Sequence, residues 1–345
     1  MRRSRLILVG LGVLLVVVAA LLRFAVAPSA TKLPSDTDTT TTYSGKGTVL
    51  NVAALQAGDV SGALARDIAV TLGRHVYVSA SNGSTAIVHD DGTLKAGSAS
   101  LPDNHTYAVD RKKLTEAGTI KGVQVDKHQG LTITMPVGPK AASDVYTYWD
   151  TPTRTAVAVK FVGKETRAGR DTYHYRATAS GALADPATQQ QLPSTLPRTL
   201  APRLLALLPT QTQQLLAPLV AKLPAQVPLS YTASSTYDVW ADAKLGAPVD
   251  TKITRAVVAN VALGGTAIPL LPVLAFDVTA DQASVQAAAD DVASASLMLA
   301  WIESWGPLIL LILGAVLVGL GLVRRRRTPE LPPTAPADLH SPSLT

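Results

Sequence analysis

Two apolar runs, residues 6–27 and 299–323, bracket this chain, and each carries its arginines on the outer flank: Arg2, Arg3 and Arg5 before the first, Arg324, Arg325, Arg326 and Arg327 after the second. Runs of this length cross a hydrocarbon core of ~30 Å at ~1.5 Å rise per helical residue. Clustered Lys and Arg stay on the cytoplasmic side of a membrane. The pattern therefore predicts a cell-membrane protein with two transmembrane helices, both termini cytoplasmic and the chain between them extracytoplasmic. Ala25-Val26-Ala27 has the small-x-small spacing of a signal-peptidase site. The apolar run is nevertheless longer than the ~7–15 residues of a signal-peptide core, and Arg23 near its end and Pro28 after the cut favour a retained anchor. Trp301 and Trp305, on the outer flank of the second run, read as an aromatic belt at the membrane interface.

The formal charge of +6 invites a nucleic-acid reading that the distribution removes. Of 31 Lys and Arg, eight lie in the anchors and their flanks, as do three of the 25 acids, leaving 23 basic and 22 acidic residues between. A near-neutral domain lacks the clustered basic face that phosphate backbones require, so no nucleic-acid partner is expected. The chain has no cysteine, which excludes disulfides, thiol catalysis and thiolate metal sites. A domain of this size can bury enough surface to fold on its core alone.

Residues 28–42 are rich in Pro, Ser, Thr and Asp and read as a spacer. From Tyr43 the apolar runs shorten to strand length, at residues 47–52, 68–72, 76–80 and 85–89, with Asn82-Gly83 and Asp91-Gly92 as turn signals for an antiparallel meander. Further strands are expected at 131–135, 155–162, 172–179, 231–241, 249–261 and 273–278. The exception lies at 192–229, where seven prolines alternate with leucine-rich turns. Leu215, Leu216, Leu219, Val220 and Leu223 fall on one helical face, which Pro218 confines to short pieces. Two readings stay open for that segment: a helical lid over the β core, or a lipid-facing element. Thr279 and Gln282 have capping-box spacing and Asp281 suits the positive end of a helix. The fold class is thus α+β: a mostly antiparallel β domain at 43–280 with a helical insertion at 192–229, a membrane-proximal helix at 281–298, and terminal transmembrane helices. Residues 1–5 and 324–345 form cytoplasmic ends, the latter a basic stop-transfer followed by a Pro-rich tail without the means to bury a core.

No catalytic set emerges. Gly58 to Gly62 reads Gly-Asp-Val-Ser-Gly, not the Gly-x-Ser-x-Gly of a nucleophile elbow, and no phosphate loop is present. The six histidines never reach the spacing of a zinc helix, so neither a metal nor a cofactor is expected, and the chain reads as a non-enzyme.

Several short motifs carry a resemblance: Lys32-Leu33-Pro34 with a Thr-rich stretch and Tyr43-Ser44-Gly45, then Tyr146-Thr147-Tyr148-Trp149-Asp150, then Tyr237-Asp238-Val239-Trp240-Ala241-Asp242 with Gly246 nearby, all between two Arg-flanked anchors. The chain resembles the actinobacterial two-anchor envelope proteins labelled the porin PorA family. The resemblance implies a β-rich extracytoplasmic domain, and members have been associated with envelope lipids and polar growth. The membrane is crossed here by helices, whereas a transmembrane barrel crosses with strands. The expected function is binding or handing on an acyl lipid or glycolipid, with Leu204, Leu205, Leu208, Leu215, Leu216, Leu219 and Leu223 as the lining or lid. The alternative is a channel-forming or scaffolding oligomer. The expected partners are membrane lipids, an envelope lipid transporter, or further copies of the chain.

Overall fold

In the computed structural model, residues 2–59, 61–208, 210–263 and 266–323 are described; for 2–5, 52, 212, 215, 216, 219, 263, 266 and 323 this covers the backbone only. Helices α1 (Arg2–Leu21) and α2 (Ala27–Ala30) are joined by a π turn, Leu22–Val26. The β domain follows as β1 (Asp38–Leu50), α3 (Val52–Ala57), β2 (Leu64–Asn82), β3 (Thr85–Ala96), β4 (Ala99–Asp110), β5 (Thr147–Asp150), β6 (Thr155–Arg167) and β7 (Arg170–Ala182). Next come α4 (Pro186–Gln190), β8 (Thr195–Pro197), α5 (Ala201–Ala206), α6 (Thr210–Leu216), β9 (Gln226–Asp242), β10 (Pro248–Leu263) and β11 (Thr266–Ala280). Helix α7 (Gln282–Ala300), a second π turn at Trp301–Trp305 and α8 (Gly306–Val323) complete the order. The chain divides into two compact units, one of residues 2–29 with 298–323 and one of residues 30–297.

The first unit pairs α1 with α8. Their approach is set by two glycines: a Cβ on Gly12 would lie 2.7 Å from the Gly314 carbonyl oxygen, and one on Gly314 2.8 Å from that of Gly12. Small residues let membrane helices come together where no hydrophobic force drives them. Two helical stretches are long and apolar enough to cross a membrane, Leu6–Ala30 and Gln282–Leu322. The second is 41 residues long, about twice what a bilayer core needs.

The second unit is one antiparallel sheet in the order β4-β3-β2-β1-β11-β10-β9-β7-β6-β5, with β8 paired to β9. The sheet curls: its main core joins Tyr43, Val70, Leu94, Val159, Tyr175, Tyr237, Ile253 and Phe276, contributed by β1, β2, β3, β6, β7, β9, β10 and β11. Between β4 and β5 the chain runs irregularly over 111–146, touching the sheet by isolated bridges Val109↔Glu116 and Leu131↔Tyr148.

Several boundaries differ from the sequence reading. Strand β1 begins at Asp38, inside the expected spacer, because four consecutive β-branched threonines pair with β2 from Asp38↔Tyr77 onward. The runs at 68–72 and 76–80 are one strand. Asn82 pairs with Thr85, so the turn is Gly83-Ser84, with φ +61° at the glycine as the first central position of a type II′ turn requires. Asp91-Gly92 is no turn but lies within β3, and the chain reverses instead at Gly97-Ser98, between Ala96 and Ala99. Residues 131–135 form no strand; Leu131 and Met135 are buried from the irregular segment.

Candidate functional site

The curl leaves a partly open cavity of about 290 Å³ against the main core. Its walls are largely apolar, supplied by Leu72 of β2, Leu94 of β3, Leu101 of β4, Ile253 and Val257 of β10, and Leu274 and Phe276 of β11. Inward-facing alternation on long strands produces such a wall whenever a sheet closes over a gap. The volume is at the lower edge of the ~300–1,000 Å³ usual for small-molecule pockets.

Set into this apolar wall are two ion pairs and a histidine. Arg74 donates to Asp90 through Nε and Nη2 at 2.7 and 2.6 Å, a bidentate pair between neighbouring strands. Arg255 donates from Nη1 to Asp103 at 2.9 Å and from Nη2 to the Tyr237 hydroxyl at 3.1 Å, which in turn donates to Asp150 at 3.1 Å. The His105 ring lies between two carboxylates, Nε2 at 2.8 Å from Asp103 and Nδ1 at 3.2 Å from Asp126. Burial works against a charged ring there, but the hydrogen bonds to Asp103 and Asp126 outweigh it and push the pKa up to about 10. Burial would raise the Asp103 carboxyl, yet His105 and the Arg255 charge hold it well below the carboxylate range. Burial drives the Tyr148 and Tyr237 phenols upward, so both are neutral hydroxyls at the wall.

A second, wider groove of about 680 Å³ lies beyond Asp126, walled by Glu116, Lys127, His128, Trp149 and Arg154 among others. It is open and mixed in charge. His128 is buried at its edge, which lowers its pKa, and its Nε2 has no partner. On the outward side of β7 and β9, His174 is held by Glu165 at 3.1 Å and Asp238 at 2.6 Å and stacks on Trp240, whose ring also carries the Arg167 guanidinium at 4.2 Å. Both imidazole nitrogens are engaged and no nucleophile adjoins them, so this cluster fastens β6, β7 and β9 together. Among the described residues no three His, Asp or Glu side chains gather as metal ligands.

Four of the leucines expected to line a site lie away from this cavity. Leu204, Leu208 and Leu223 are buried, with Leu205 packed beside them, in a separate cluster with Leu55, Leu64, Leu196, Val261 and Leu271. The gap there is only about 40 Å³. The side chains of Leu215, Leu216 and Leu219 lie outside the described residues, as do those of Arg2, Arg3 and Arg5 and the whole of 324–345, with Arg324, Arg325, Arg326 and Arg327. Of the insertion at 192–229, Leu192 and Pro193 reach the cavity, beside Thr188 and Gln191 of the preceding turn. Trp301 and Trp305 are exposed on the π turn.

The motifs that carried the resemblance now have positions. Tyr148 and Tyr237 line the cavity and pack ring to ring at 4.8 Å, and Asp150 anchors Tyr237. Asp242 caps the backbone of Lys244 and Leu245 and holds Arg170, turning the chain towards Gly246. Gly246 adopts φ +74° with the Met135 and Pro136 carbonyls so close that a Cβ has no room. No curated protein matches the chain. A family profile described as Porin PorA matches residues 5–323. Covering both apolar helices and the whole curled sheet, that match places the chain as a membrane-associated envelope protein that belongs to the Porin PorA family.

Proposed function

We propose that the β domain is an extracytoplasmic, non-catalytic binding module that holds the apolar part of an envelope lipid or glycolipid, and that both termini of the chain are cytoplasmic. The observation that carries this is the partly open, largely apolar cavity with a few convergent polar groups, the usual form of a site for an amphiphile. The arginine flanks of the two helices favour the orientation, and the exposed Trp301 and Trp305 suit the headgroup layer. A membrane-anchored carrier of this kind would receive its ligand from, or pass it to, an envelope lipid transporter.

The test is native mass spectrometry of the full chain, released gently from its own membrane, with and without Leu101→Trp. Leu101 lines the cavity and is only half-buried, so the indole fills the space without replacing a fully packed core residue. Adducts of lipid mass on the parent and none on a variant with an unchanged melting transition would support the proposal. A parent that never carries lipid would reject it.

The family description favours a second reading, a channel-forming or scaffolding oligomer. One pair of helices offers no conduit by itself, so that reading requires several copies, and a purified full chain that stays monomeric and carries no current in planar bilayers would reject it.

A further inference from the structure

We propose, resting on the cavity as the binding site, that it selects a single-chain amphiphile whose headgroup is uncharged and hydroxyl-bearing, and discriminates against anionic headgroups. The polar wall is already compensated. Its three cations, Arg74, Arg255 and His105, are each matched by a carboxylate in contact, Asp90, Asp103 and Asp126. Both nitrogens of His105 and the bidentate edge of Arg74 are occupied. An anionic headgroup would leave water only to face Asp90 and Asp103 across an apolar space, with no unpaired cation to receive it, and burying an uncompensated charge is far costlier than burying a hydroxyl.

Two lining residues instead carry a polar atom without a partner: Arg255 Nε, a donor only, and Thr132 Oγ1, a donor or acceptor. A headgroup hydroxyl can accept from either atom as a carboxylate or phosphate oxygen would, and it does so without bringing a charge that the compensated wall has no free cation to match. The volume admits part of one chain and excludes a second.

The experiment uses the full chain in a detergent-free peptide belt, titrated calorimetrically with three probes of equal chain length: decyl glucoside, decyl phosphate and decyltrimethylammonium. Decyl glucoside is expected to bind at least about tenfold more tightly than either charged probe, and Leu101→Trp should abolish that binding. Equal or tighter binding of decyl phosphate or of the ammonium probe overturns the proposal, as does glucoside binding that Leu101→Trp leaves intact. If no probe binds, the cavity itself is not a binding site and both readings fall together, whereas charged probes binding at the cavity would sink only the headgroup selectivity. Asp90→Asn supplies a second check. With Arg74 released from its partner, decyl phosphate affinity should rise about tenfold relative to glucoside, and an unchanged ratio in a variant that retains its melting transition overturns the charge-compensation argument. Should that variant not fold, the three-probe comparison on the parent decides.

Discussion

The Arg255 guanidinium reaches the Asp103 carboxylate at 2.9 Å although β10 and β4 are separated in the sheet by β3, β2, β1 and β11. In a flat sheet five strand spacings amount to about 24 Å. The contact exists because the sheet curls back on itself, and side chains complete what the ladder leaves open: Asp103 of β4, Arg255 of β10, Tyr237 of β9 and Asp150 of β5 form one hydrogen-bonded line across the concave face. The same line bounds the cavity, so closure of the fold and the polar wall of the candidate site are one feature.

Tyr237→Phe removes the hydroxyl at the middle of that line while keeping the ring against Tyr148. Asp150 and Arg255 each lose a partner in a buried setting, which costs about 1–3 kcal/mol. A lowered melting temperature with an unchanged β spectrum is the expected result, and an unaltered melt would show that the line contributes nothing to closure.

Stability should also depend on pH through His105. Its folded pKa of about 10 lies above the ordinary ~6.5 of a histidine, so the folded chain holds that proton more tightly. The stabilisation is fully present below pH ~6.5 and is lost as pH rises through about 10. Thermal melts across that window should decline for the parent and flatten for His105→Gln. Parallel curves for the two proteins would place the titration elsewhere.

Much of the scaffold was legible from residue pattern, and two of the misreadings, β4 and Gly92, fall at the site. Strand β4 escaped notice because its inward positions carry Asp103 and His105 where alternation calls for apolar residues. Those are cavity residues, and a local rule broken at a functional position is a common reason for a missed element. Gly92 was misread as a turn: it serves close strand approach, since a Cβ there would sit 3.0 Å from the Asp103 carbonyl oxygen. The stripe at 215–223 was legible as amphipathic, but the partners of its described members Val220 and Leu223, among them Leu55 of α3, Leu64 of β2 and Val261 of β10, come from distant elements that no periodicity links to it. Arg74, Asp90 and Arg255 gave no sequence signal at all, because their association depends on sheet order and curl.

The two leucine populations can be separated by experiment. Leu204→Ala and Leu208→Ala remove buried side chains from the cluster around the short helices and should each cost about 2–5 kcal/mol. Lipid adducts per folded molecule should not change. Leu101→Trp should show the reverse, intact stability and lost adducts. Loss of adducts in a stable Leu204 variant would move the site to the leucine-rich segment.

Topology is testable at an exposed hairpin turn. Ala168 and Gly169, both at positive φ, form the turn between Arg167 and Arg170, and Gly169 has nothing within 4 Å. A reporter active only outside the cytoplasm should signal from that turn, and one active only inside should signal from position 345. Cytoplasmic signal from the turn would refute the proposed orientation.

The helix pair offers its own control. Gly314 lies against Gly12, so Gly314→Leu must push α1 and α8 apart, and overpacking of this kind costs about 1–3 kcal/mol. Gly319, on the same helix, has nothing within 4 Å and is free to accept a side chain. Melting of the full chain in detergent should therefore fall for Gly314→Leu and hold for Gly319→Leu. Light scattering on the same samples adds the oligomeric state. If Gly319→Leu instead dissociates an assembly without altering the melt of the single chain, its open face is a contact between copies, and the scaffolding reading gains the interface it requires.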